Sequence, residues 1–209
     1  MALQHSPGYC ALMSTTQNLV ALGKLIAAHH GWPAAKAFKA YQMDDAAGAK
    51  VSAAALDILK AFPPLPAASA LMSAAFAVRL EKTLDAPIQV VAGTLSVHDK
   101  PVFGDQTPFP IGTFAQAEVS WNGHVWVMIG PYVADISLFR TAYSRFGPAA
   151  LSRHVDLTFG PNKGLYVDHW GKTRQRGLKY EPSYVLSRDE VDHQMASAYH
   201  TIRQHAANA

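Results

Sequence analysis

The chain has 209 residues, 49% hydrophobic and 16% charged, a composition that excludes a disordered polyelectrolyte and is large enough to bury a core. Its 18 basic and 15 acidic residues leave a formal charge of +3, too slight an imbalance to call for nucleic acid. One cysteine, Cys10, excludes an intramolecular disulfide and a cysteine-only metal cage, and no apolar run is long enough to predict a membrane span.

The N-terminus, MALQHSPGYC, lacks the basic and continuous apolar regions of a signal peptide, so a cytosolic, bacterial-type protein is expected. In residues 10–30, Leu12, Leu19, Leu22 and Ile26 recur at helical spacing, and His29 and His30 are placed to meet the terminal carbonyls of that helix. Pro33 is suited to open a second helix, and DDAAGAKVSAAALDILKAF predicts a third, stopped by PPLP. Residues 1–62 are therefore expected to form a helical N-terminal region, and 63–209 the remainder of a single domain.

The stretch AASALMSAAFAVRLEKTLD carries Leu71, Met72, Ala75, Phe76, Arg79, Leu80 and Leu84 along one stripe read as apolar, which predicts a central helix closed by Pro87. IQVVAGTLSV is rich in β-branched residues and predicts a buried strand. HDKPVFGDQTPFPIGT, residues 98–113, has three prolines and two glycines and predicts a long loop of the kind that often binds ligands. AEVSWNG, HVWVMIG and YVADISLF then predict an antiparallel meander with turns at Asn-Gly and Gly-Pro. TAYSRFGPAALSRHVDL suggests one helix, the next stretch a loop with short strands, and Ser187 with Glu190 the capping box of a terminal helix.

If Gly130 and Pro131 form the turn of the second hairpin, facing residues sum to 261, so Trp126 faces Asp135 and His124 faces Ser137. His124, Trp126 and Asp135 then project from one face, with roughly 5 to 8 Å between the backbones of His124 and Asp135. A carboxylate there can accept the imidazole N–H, which fixes the tautomer and steadies an imidazolium. A purely structural pairing of the two at a sheet surface, packed by Trp126, is the alternative.

The order of helix, strand and hairpin, with GHVWV and YVADIS as they stand here, resembles the transglutaminase-like branch of the papain-like cysteine enzymes over about residues 64–139. The resemblance implies an α+β fold, with a central helix packed on an antiparallel sheet. It also implies acyl transfer or hydrolysis at an amide, thioester or peptide bond, by a nucleophile at the N-terminus of the helix before the first strand. That helix has no cysteine; the position that matches best is Ser69, with Ser73 one turn further in.

Three arrangements are open. Ser69 is a hydroxyl nucleophile activated by His124 as general base, with Asp135 orienting the imidazole. Cys10, following SPGY near the start of the first helix, is the nucleophile instead. In the third, chemistry is absent and the cleft, with the 98–113 loop, holds a peptide or an acyl group.

Other constellations are weaker. His154, Asp156, Asp168 and His169 supply metal-type ligands at a spacing that matches no site pattern. No glycine-rich phosphate loop is present, so no cofactor is implied, and Lys172, Arg174, Arg176 and Lys179 read as a solvated loop.

Overall fold

The computed structural model describes residues 7–64, 68–104, 112–115 and 121–207, with side chains from residue 19 onward. The fold is α+β, and its organising element is the ten-residue strand β1 (Ile88–Val97). β1 lies antiparallel to β2 (Lys100–Phe103), β3 (His124–Ile129) and β6 (Leu178–Val185). Residues 91–93 of β1 pair with both β3 and β6, and residues 95–97 with both β2 and β6. β2 and β3 therefore share one edge of β1 and β6 occupies the other. The sheet continues from β3 through β4 (Tyr132–Asp135) to β5 (Tyr166–His169), again antiparallel.

Strand side chains alternate between two faces, and each face is covered by helices. On the first, Val90, Ala92, Val125, Val127, Ile129 and Ala134 pack with α2 (Asp45–Ala61), α3 (Ser69–Glu81) and α7 (Arg188–Ala207). On the second, Val91, Leu95, Trp126, Met128 and Val133 pack with α1 (Pro7–Ala40), α4 (Leu138–Tyr143), α5 (Ala149–Thr158) and α6 (Trp170–Thr173). The N-terminal helices thus divide between the two faces. The near-continuous apolar runs of β1 and β3 follow from burial on both sides.

Local chemistry accounts for the element ends. Gly31 breaks α1 with a φ of 82°, so two helical segments meet there and Pro33 opens the second. The Asp44 side chain accepts the Ala47 N–H at 2.7 Å and starts α2. Ser187 and Glu190 form the reciprocal box at the start of α7: the Ser187 N–H donates to Glu190 Oε2 at 2.8 Å, and the Glu190 N–H to Ser187 Oγ at 3.3 Å.

Several expectations are corrected. Part of the loop expected over 98–113 is strand β2, joined to β1 by a two-residue turn in which His98 and Asp99 have φ of 47° and 63°. The strand expected from AEVSWNG falls mostly outside the described residues, and Trp121 and Asn122 are not in a strand. YVADISLF leaves the sheet after Asp135 and turns into α4. The single helix expected after it is two, α4 and α5, because Gly147 and Pro148 interrupt it. No helix among the described residues is long and apolar enough to cross a membrane.

Candidate functional site

The β3–β4 hairpin has Val127 opposite Ala134, Met128 opposite Val133 and Ile129 opposite Tyr132, a register in which facing numbers sum to 261. That register puts His124 and Asp135 on the second face, and their side chains meet: Nε2–H of His124 donates to Asp135 Oδ2 at 2.6 Å. Both side chains are buried, 2% and 0% exposed. His124 lies opposite Gly93 of β1, where no side chain intrudes. Its ring is stacked at 5.3 Å and 18° on Phe103, the last residue of β2, and Trp126 lies 6.4 Å away at 20°.

Asp135 receives five hydrogen bonds. Its Oδ2 also accepts from the Tyr180 hydroxyl at 3.0 Å. Its Oδ1 accepts the Ser137 N–H at 3.0 Å, the Ser137 hydroxyl at 3.1 Å and the Leu138 N–H at 2.9 Å. The last of these satisfies an N–H at the start of α4. Burial alone would raise the Asp135 carboxyl, but the adjoining His124 and the hydrogen bonds from His124, Tyr180 and Ser137 outweigh it and hold the group below the usual range. Burial first, and then the Asp135 charge, push the Tyr180 phenol well above its ordinary value. Tyr180 is therefore a neutral donor and no nucleophile.

The candidate nucleophiles are placed elsewhere. Ser69 is the first residue of α3, whose buried apolar side chains all belong to the core of the first face. Ser73 lies one turn on, with its hydroxyl donating to the carbonyl of Val125 at 2.9 Å. The sheet stands between α3 and the imidazole, so the structure brings His124 and Asp135 together and leaves Ser69 and Ser73 across the sheet from them. Cys10 belongs to α1, and its side chain lies outside the described ones. Among the described residues, no serine hydroxyl is within hydrogen-bonding distance of either ring nitrogen of His124.

Other expected groups do not converge. Nε2–H of His154 donates to the Arg176 carbonyl at 2.9 Å, Asp168 faces Arg176 at 3.8 Å, and His169 packs edge-on against Tyr132. Among the described residues, no group of three or more His, Cys, Asp or Glu side chains is arranged to hold a metal. His29 packs edge-on against Tyr184, with ring centroids 5.4 Å apart.

Sequence reasoning missed Tyr180 and Phe103. Tyr180 is 45 positions from Asp135 and reaches it only because β6 pairs with the far edge of β1. The alternation in LKYEPSYV marks a strand, but a strand's partner is a non-local property. Phe103 falls in a proline-containing stretch that conceals an edge strand.

No protein-family model matches the chain, and neither the curated proteins nor the solved structures yield a match.

Proposed function

We propose that this chain is a non-catalytic binding protein that keeps the element order of the transglutaminase-like branch and uses the His124–Asp135 pair to hold its structure. One observation carries the proposal: every acceptor direction of Asp135 is filled by a fixed donor, while the hydroxyls of α3 lie across the sheet. A general base needs its proton donor within one hydrogen bond or one water, and a serine, with its high pKa, depends on that contact more than a thiol does.

A peptide or a small amide or thioester is the ligand class consistent with the resemblance, held and not cleaved. Acyl transfer through Ser69 or Cys10, with His124 as base and Asp135 as orienter, is the competing proposal. A serine-directed fluorophosphonate and a thiol alkylator, applied separately with adducts located by mass spectrometry, distinguish them. A non-catalytic protein shows no labelling that depends on His124. Labelling of Ser69 or Cys10 that disappears in His124→Ala would establish the competing proposal and sink ours.

A further inference from the structure

The end of α4 remote from Asp135 opens on a cavity of about 570 Å³, within the range that takes small-molecule ligands. Three cations line it, Arg140, Arg145 and Lys163, and no aspartate or glutamate is among the described residues that line it. Among the described residues, none of the three has a carboxylate partner. Like charges gathered without a counter-charge are repulsive, and an anion in their midst relieves that repulsion.

Arg140 is held in place. Arg140 donates through Nη1 to the carbonyls of Phe62 and Pro63 at 2.9 and 3.2 Å, and through Nη2 to the carbonyl of Leu59 at 2.7 Å. These bonds fix the guanidinium at the C-terminal end of α2, where carbonyl dipoles favour a cation without cancelling its formal charge. Its pKa is lowered by burial, a sign that the charge is poorly solvated. Arg145 lies 4.5 Å over the Phe146 ring. The Tyr143 hydroxyl donates to the Gly160 carbonyl at 2.8 Å and accepts the Lys163 N–H at 3.4 Å, which ties the loop bearing Lys163 to α4. Most of the remaining wall is apolar: Tyr143 is 42% and Phe146 65% exposed, and Leu59 and Pro64 line the cavity with them.

We propose that this cavity binds a small organic anion, a phosphate or carboxylate head held by Arg140, Arg145 and Lys163, with an apolar body against Tyr143 and Phe146. An inorganic ion would fill only a small part of the space and leave the aromatic wall wet. The site is separate from the His124–Asp135 pair, and no step of chemistry is assigned to it.

Calorimetric and NMR titration of the full chain with phenyl phosphate, benzoate, phenol and inorganic phosphate tests this. At least one of the two aromatic anions should bind about tenfold more tightly than phenol and than inorganic phosphate, and more weakly as salt is raised. Whichever of the two binds better identifies the head. The double variant Arg145→Gln/Lys163→Gln, confined to exposed side chains, should lose about tenfold in affinity for that anion. Phe146→Ala should weaken the aromatic anion and leave inorganic phosphate unchanged. Phenol binding as tightly as the anions, a double variant with unaltered affinity, or no heat and no shift up to about 10 mM overturns the proposal. His124-dependent labelling, by contrast, would sink the non-catalytic proposal and leave this cavity untouched.

Discussion

Asp135 joins two parts of the molecule through its two oxygens: Oδ2 stands 2.6 Å from His124 Nε2 across the hairpin, while Oδ1 accepts the N–H of Leu138 and so anchors α4. Removing the carboxylate leaves a buried imidazole, the Tyr180 and Ser137 hydroxyls and two backbone N–H groups with one partner fewer each. Asp135→Ala should therefore cost about 3 to 5 kcal/mol of unfolding free energy, because five hydrogen bonds to one buried carboxylate are lost together. Tyr180→Phe, which removes one hydroxyl donor, should cost about 1 kcal/mol. Urea unfolding followed by circular dichroism measures both. A loss under about 1 kcal/mol in Asp135→Ala would show that the pair does not hold the structure.

Gly93 stands where β1 carries a bulge against β6 and faces His124 on β3. A Cβ there would collide with the Glu181 carbonyl and come within 2.9 Å of Trp126 Cη2. Backbone cannot move aside as a flexible side chain can. Gly93→Ala should destabilise by more than about 2 kcal/mol, the scale of overpacking in a close-packed interior. Thermal melting reads this directly, and the neighbouring Ala92→Gly, which only removes a methyl from the first core, should melt at a higher temperature than Gly93→Ala.

Much of this arrangement is legible in the residues, because it depends on local rules. The Gly-Pro turn determines the hairpin register, and the register brings an imidazole beside a carboxylate; the span of β1 and the cap of α7 follow equally from composition and spacing. What is not legible is which face of the sheet each element covers. The periodicity of α3 shows that one stripe is buried, and it is silent on whether that stripe meets Val125 or Trp126, alternate residues of the same strand. A one-residue difference in parity decides whether Ser69 can meet His124. Tyr180 escapes for a related reason, since its strand reaches Asp135 through β1 and not through any neighbour in sequence.

The two serines of α3 separate a structural role from a catalytic one. Ser73 is buried with its hydroxyl on the Val125 carbonyl, so Ser73→Ala should cost about 1 kcal/mol. Ser69 is partly exposed at the first helical position, and Ser69→Ala should stay within about 0.5 kcal/mol of the parent. A thiol introduced as Ser69→Cys should titrate at the same pH with His124 present and in His124→Ala, because the sheet keeps it from the imidazole and the start of α3 acts on it equally in both. A thiol lower with His124 present than in His124→Ala, read by the ultraviolet absorbance of the thiolate, would bring Ser69 back into a site with His124.

Stability should fall with acid in two separate windows. Burial, reinforced by the nearby His98 and only partly opposed by the hydrogen bond to the Arg176 carbonyl, lowers the His154 pKa from its ordinary 6.5. The unfolded chain then takes up this proton at a higher pH than the folded one, so the contribution of His154 is complete above 6.5 and erodes as pH falls below it. Protonation would also place a hydrogen on Nδ1, which now faces the Thr158 hydroxyl at 3.4 Å, while His98 lies 4.8 Å away ring to ring. Asp135 acts lower on the scale. Its carboxyl is held below the ordinary 3.8, so its contribution is present above that value and is lost as pH falls through it. Melting temperatures measured from about pH 7.5 down to about pH 3 should therefore show two declines. His154→Gln should flatten the upper one and leave the lower; Asp135→Asn should start from a lower melting temperature and flatten the decline below about pH 4. A parent protein whose melting temperature is level from about pH 7.5 to about pH 5 would remove His154 from this account, because a neutral imidazole favoured only by the folded state must cost stability as soon as the unfolded chain begins to protonate.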